Sequence, residues 1–129
     1  SRLYYAANVR GGATTITTVV NGSPAYHELY IHEYSGVDRG APLDAFSVQV
    51  TNGQTFSSGS ITTSAPHDLL YGLEIDASVG QASAGWTTRS TLDSNVAADA
   101  NAPTVGSYAF RGSSGGSYIA WIVAFKQAP

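Results

Sequence analysis

The chain contains no cysteine and no methionine. The first absence excludes a disulfide framework and thiolate metal sites, and it leaves export open. The second, with Ser1 at the start, points to a processed, excised or partial chain, because a primary translation product begins with methionine. Charge is also scarce: 12% of residues are charged, about half the usual share. The six basic residues are scattered (Arg2, Arg10, Arg39, Arg89, Arg111 and Lys126), so no stripe exists to neutralise phosphates, and nucleic acid is not an expected partner. No basic amphipathic segment suits anionic lipid. The longest apolar run, residues 119–125, falls far short of a bilayer span, so membrane insertion is not expected either. Helix periodicity is missing too. No useful window keeps an apolar i, i+3, i+4, i+7 pattern free of glycine, proline and β-branched residues.

What remains is a globular composition of 129 residues, 43% hydrophobic with a mean hydropathy of -0.05. That length fits one domain, 1–129, able to bury a continuous core. Thr, Ser, Gly, Ala and Asn supply the polarity, a habit common in secreted β-proteins, so an extracellular or cell-surface location is expected. Strand signals recur at short spacing between turn clusters. Residues 3–9 and 13–20 alternate, and a turn at Asn21-Gly22-Ser23-Pro24 follows. Residues 26–34 form the next expected strand. Further strands are expected at Phe46, Val48 and Val50, then at 59–63, 69–75, 85–90, 105–111 and 117–126. Residues 91–103 read as a loop, and Gly112-Ser113-Ser114-Gly115-Gly116 as a flexible link. Eight or nine short strands with glycine-rich turns predict an antiparallel β-sandwich. Its expected core is Ile16, Leu29, Ile31, Val48, Leu69, Leu73, Ile119, Trp121 and Val123.

Few residues carry chemistry. His27 and His32 lie five apart, so on a strand they face opposite ways and do not converge on a metal. No metal site or resident cofactor is expected beyond a loop calcium near Asp38 and Asp44, where hard oxygen ligands suit the loop. The nine acids form no pair across a cleft for glycoside hydrolysis, and Gly112-Ser113-Ser114-Gly115 has the wrong spacing for a serine nucleophile. A metal-dependent hydrolase is therefore the weakest of the function classes, and no catalytic residue is assigned. Glu33 shares a face with Leu29 and Ile31, so it is expected to be buried in a structural ion pair with Arg89.

The most suggestive feature is the aromatic stripe Tyr26, Tyr30 and Tyr34 with His32. A strand spaces alternate side chains about 6.8 Å apart, so sugars could stack along it. Tyrosine keeps a polar tip, so the stripe serves equally at a wet protein interface. It could also simply cover a sheet.

The series Tyr4-Tyr5-Ala6-Ala7-Asn8, Glu33-Tyr34-Ser35-Gly36-Val37-Asp38, Ala41-Pro42-Leu43-Asp44, Asp68-Leu69-Leu70-Tyr71-Gly72, Gly85-Trp86-Thr87-Thr88-Arg89 and Ala124-Phe125-Lys126 spans nearly the whole chain. In order and spacing it resembles a jelly-roll-like β-sandwich module that recurs in secreted and surface proteins of environmental bacteria, beside adhesin-like and carbohydrate-active domains. The resemblance implies location and architecture, and no reaction. Such modules carry further strands upstream of the Tyr-Tyr-Ala-Ala-Asn segment, and their absence would leave an open edge that invites strand donation. The expected function is a non-catalytic structural or adhesive surface module whose partners are copies of itself or other surface proteins. The alternative is a carbohydrate-binding module that takes a polysaccharide on its tyrosine face.

Overall fold

From residue 43 onward the alternation of apolar and polar residues becomes strand. The computed structural model describes residues 1–12, 15–76 and 80–129. Its strands are β1 (Leu43–Ser57), β2 (Ile61–Thr62), β3 (Asp68–Asp76), β4 (Gln81–Ala82), β5 (Thr87–Ser90), β6 (Val96–Ala102), β7 (Ser107–Tyr108) and β8 (Arg111–Phe125). The main sheet runs β1-β8-β3-β6-β5, with β4 also paired to β8, and β2 pairs with β7 in a second small sheet. Every one of these pairings is antiparallel. The fold is all-β, and among the described residues its only helical element is the short 3-10 turn Leu92–Ser94.

Strand register assigns the two faces of the main sheet. In β3, Leu70, Gly72 and Glu74 lie opposite Ala124, Ile122 and Ala120 of β8 and Ala100, Ala98 and Val96 of β6. This face holds the principal core, capped by Phe56, Ile61 and Phe110 with Trp86 packed alongside. The ring centroids of Phe110 lie 4.8 Å from Phe56 and 4.6 Å from Trp86. Each buried phenylalanine contributes about 2–3 kcal/mol of hydrophobic stabilisation. Gly72 is required beneath them, because a Cβ there would run into the Phe110 ring.

The opposite face carries Leu69, Tyr71, Leu73 and Ile75 of β3 beside Ile119, Trp121, Val123 and Phe125 of β8. The segment 1–42 crosses it, and Leu3, Tyr30 and Tyr34 pack on the cluster of Tyr71, Leu73 and Ala97. Tyr5 meets Phe125 edge-on at 5.6 Å, and Trp121 donates its indole N–H to Ser1 Oγ at 3.1 Å. Farther across the sheet this cover stops. Phe46 (62% exposed) and Val50 (73%) of β1 face solvent.

Several expectations need correction. Among the described residues before Val37 none lies in a strand, so the expected strands at 3–9 and 26–34 are not formed, and the first bends at Asn8 (φ 53°); Ala13 and Thr14 of the expected 13–20 strand lie outside the described residues. Alternation supplies a face, but an isolated extended segment has no ladder to hold it. Ile16, Leu29 and Ile31 are accordingly exposed; Val48 is exposed too, although it is paired within β1, because no layer covers that part of the sheet, whereas Leu73 and Val123 are buried as expected. The stretch read as a loop at 91–103 contains β6, which lies between β3 and β5. Its alanines have weak strand propensity, yet their small size lets the layers on both sides close in, and burial overrides propensity. The supposed glycine link at 112–116 lies within β8, where a Cβ at Gly112 would strike Gln81 O and the Phe56 ring.

Candidate functional site

The most developed polar cluster lies where the 1–42 segment meets β5 and β6. Thr87 and Thr88 pair with Asp99 and Ala98, but Ser90 pairs with Ala97, so a bulge leaves Arg89 as the extra residue. Such a bulge re-aims a side chain. Arg89 grips Asp99 bidentately, Nε to Oδ2 at 2.5 Å and Nη2 to Oδ1 at 2.9 Å. Tyr34 donates its hydroxyl to the same Oδ2 at 3.0 Å. Asp99 is almost fully buried, and these donors offset its desolvation.

Aromatic rings wall this cluster. His32 stacks on Tyr34 at 6.4 Å and tilts against Tyr71 at 5.2 Å. Burial pushes the His32 pKa below its ordinary value, Arg89 adds to the effect and Asp99 opposes it, so the ring is neutral at neutral pH. Burial, followed by the hydrogen bond to Asp99 and its charge, drives the Tyr34 hydroxyl well above the usual phenol range. Burial pushes Tyr71 up to about 12. Tyr30 sits one step along, donating to the Leu92 carbonyl at 2.9 Å and accepting from Asn95 Nδ2 at 2.9 Å. Burial is the main cause of its raised pKa.

Of the aromatic stripe, the structure therefore brings Tyr30, His32 and Tyr34 together against the sheet and leaves Tyr26 apart, 88% exposed. The expected Glu33–Arg89 pair is not formed. Glu33 is exposed, and the guanidinium is turned to Asp99. The alternation argument put Glu33 in a core, but the segment turns Tyr30, His32 and Tyr34 toward the sheet and Leu29, Ile31 and Glu33 to solvent, the reverse of the expected core face. Two shallow cavities flank Tyr34. One, of about 360 Å³, is lined by Ile31, His32, Glu33, Tyr34 and Arg89; the other, of about 420 Å³, lies toward His67, Asp68, Asn101 and Phe125. An aromatic wall beside polar groups suits reversible binding. It places no base beside a nucleophile.

The remaining acids are distributed between separate environments. Asp38 Oδ1 accepts the amides of Gly40 at 2.7 Å and Ala41 at 3.1 Å, and these bonds hold its pKa below the ordinary value. Asp44 takes both the amide and the hydroxyl of Ser64. Burial works against Asp44, but the Ser64 bonds, Asp68 and Lys126 lower its pKa overall. Asp68 is pushed up to about 6 by burial and then by the neighbouring Asp44 carboxylate, and neither of its buried oxygens has a hydrogen-bond partner among the described residues. Glu74 is pushed up to about 7, chiefly by burial and then by Asp76. Among the described residues no group of three or more His, Asp or Glu side chains converges as a metal set.

Asp99, Tyr71, Asn95, Asp68 and Glu74 all escaped the sequence reading. The available signal was an acid at mid-strand between small or apolar neighbours, as at Gly72-Leu73-Glu74-Ile75 and Ala98-Asp99-Ala100. Compared with known proteins, the chain matches no family model, no curated protein and no solved structure.

Proposed function

We propose that the chain is a non-catalytic structural module of an exported, surface-displayed assembly, a jelly-roll-like sandwich completed by a second copy. The observation that carries this reading is the β1 edge. β1 ends the main sheet, runs for 15 residues, and has no charged side chain after Asp44. Edge strands are normally blunted by charge, proline or brevity, as the short β5 is by Arg89. Between the register irregularities at Leu43/Ala45 and Gly53/Thr55, β1 carries no charge and no proline, and Phe46, Val48 and Val50 stand exposed along it.

The occupant is the extended arm of a neighbouring copy. Residues 15–20 are uncharged and carry Ile16, Val19 and Val20 exposed, Val19 at 88%. Paired along β1, they would satisfy its ladder and cover its apolar row, which is β-strand addition. Charge favours the contact. Arg2 and Arg10 are the only charged side chains in residues 1–27, so the remainder of the chain carries -5 of the overall -3. Arm-to-edge pairing is heterologous and does not close by symmetry, so it builds a chain of subunits.

Sedimentation velocity and light scattering over a concentration series test this. The expected result is mass that grows with concentration, reduced to a monomer by Phe46→Lys with Val50→Lys, both surface changes that leave the core intact. A wild-type monomer at about 1 mM, a loading at which micromolar association is saturated, overturns the reading. If that monomer is also retarded in a polysaccharide gel, the groove beside Tyr34 becomes the functional surface, as a glycan site.

A further inference from the structure

The two cavities beside Tyr34 lie on the face of the sheet that the 1–42 segment crosses, and the charge around them is largely cancelled. Arg89 commits Nε and Nη2 to the almost fully buried Asp99, so the two are neutral as a unit. Its side chain is still 49% exposed, and among the described residues Nη1 has no hydrogen-bond partner. His32, a wall of the same cavity, is uncharged. Glu33 adds an exposed carboxylate with no bonded partner among the described residues. This cavity therefore offers a fixed donor, an open acceptor and a ring wall, and Glu33 is the one uncancelled charge in its lining.

The second cavity offers amides. Asn101 and Gln127 are both exposed in its lining, each a neutral group that donates and accepts, while the acid Asp68 is fully buried. Asn101 lies two residues beyond Asp99 on the same face of β6, about 6.8 Å along the strand. At about 360 and 420 Å³, each cavity falls within the usual small-ligand range of about 300–1,000 Å³. Tyr34 lines both, with its hydroxyl tied to Asp99 and its ring stacked on His32, so the ridge between them is set before a ligand arrives.

Charge and hydrogen bonding select the ligand. An anion meets Glu33 and finds Arg89 already engaged, and a cation meets the guanidinium. An apolar ligand leaves Nη1, Glu33 and both amides unpaired, which is costly. A neutral polyol avoids all three penalties. Its hydroxyls donate to Glu33 and accept from Nη1, and its weakly positive C–H groups suit the negative face of an aromatic ring. We propose that the groove on either side of Tyr34 binds a neutral hexose polymer, with Arg89 and Glu33 holding hydroxyls in one cavity and Asn101 and Gln127 in the other. Two cavities across one ridge fit a chain better than a single sugar. No β1 residue lines either cavity, so this site does not rest on the β1 edge or on how copies associate.

Native electrophoresis of the full chain tests it, in gels cast with dextran, laminarin, hydroxyethyl cellulose or galactomannan, and with alginate as an anionic counterpart. Mobility is referred to a gel without polysaccharide, so self-association cancels. Retardation by at least one neutral polymer and none by alginate is expected. In that polymer Glu33→Ala is expected to lose about tenfold in affinity and Asn101→Ala at least about threefold, each an exposed change that spares the core. Tyr26→Ala, 88% exposed and apart from the groove, is expected to bind as wild type does. The proposal is overturned by free migration in every neutral gel, by retardation in alginate, or by binding that survives both Glu33→Ala and Asn101→Ala. A loss at Tyr26→Ala equal to that at Glu33→Ala overturns it as well, because the ligand then lies outside the groove.

Discussion

Residues 43–129 and residues 1–42 have the same kind of composition and opposite fates. In the first stretch every long apolar strand finds a neighbour, and β8 is paired along both flanks over much of its length. In the second, the described residues reach the rest of the chain only through side chains until Gly36, whose carbonyl accepts the Ala128 amide at 2.8 Å, and Asp38, whose amide donates to the Lys126 carbonyl at 2.9 Å. Val9, Ile16, Val19 and Leu29 remain exposed in it. The difference shows that alternation is necessary for a strand but not sufficient. A strand is a relation between two segments, and its stability comes from ladders and cross-strand pairs that neither segment owns.

The sharpest way to break the comparison is to remove equal chemistry from both regions. Phe110 is fully buried between Phe56, Trp86 and Gly72, so Phe110→Ala is expected to cost about 3–5 kcal/mol in urea unfolding. Ile16→Ala and Val19→Ala, at exposed sites, are expected to stay within about 0.5 kcal/mol in the same experiment on dilute protein. A cost above about 2 kcal/mol at Val19 would show that the arm is part of the folded core of a single copy.

Legibility followed the same division. β3 was plain because Leu69, Tyr71, Leu73 and Ile75 alternate and the strand is paired on both sides. β6 was hidden, because a run of alanines has no strand signature until the aromatic cap closes over it. Residues 26–34 misled in the other direction. Their alternation is as clean as that of β3, and it correctly placed Tyr30, His32 and Tyr34 on one side, yet the ladder partner is not supplied. Sequence could mark Asp99 only as an acid among alanines, since what makes it central is the bulge that delivers Arg89 and the tyrosine that arrives from 65 residues away.

A smaller effect separates the two regions by pH. Glu74 in the sheet body has its pKa raised to about 7, and Asp68 to about 6. A carboxyl whose folded pKa is raised holds more protons folded than unfolded, so stability falls as pH rises. For Glu74 the contribution is complete below the unfolded value near 4.5 and lost as pH passes about 7. His32 in the arm acts oppositely, its lowered pKa favouring the folded state as pH rises toward 6.5. Wild type is expected to lose about 2 kcal/mol relative to Glu74→Gln between pH 5 and pH 8, read by urea unfolding. Parallel curves for the two proteins would show that Glu74 is solvated in the native state.

The smallest change probes the seam itself. Tyr34 joins arm to sheet through one hydroxyl on Asp99, while Arg89 already supplies two donors to that carboxylate. Tyr34→Phe keeps the ring that stacks on His32 and meets Tyr71, and removes only the third donor. A hydrogen bond to a charged, largely buried acceptor contributes about 1–2 kcal/mol, so global stability should fall by about that amount if the arm is docked in the native state. Limited proteolysis beside hydrogen exchange gives the finer reading, because local opening of the arm need not unfold the sheet. Proteolytic cleavage within residues 28–34, whose amides donate no hydrogen bond among the described residues, is expected to be about tenfold faster in Tyr34→Phe while the amides of β3 and β8 hold their exchange protection, since about 1.4 kcal/mol is a factor of ten. Faster exchange throughout β3 would instead mean that arm and sheet open as one unit, and the division between the two regions would not survive.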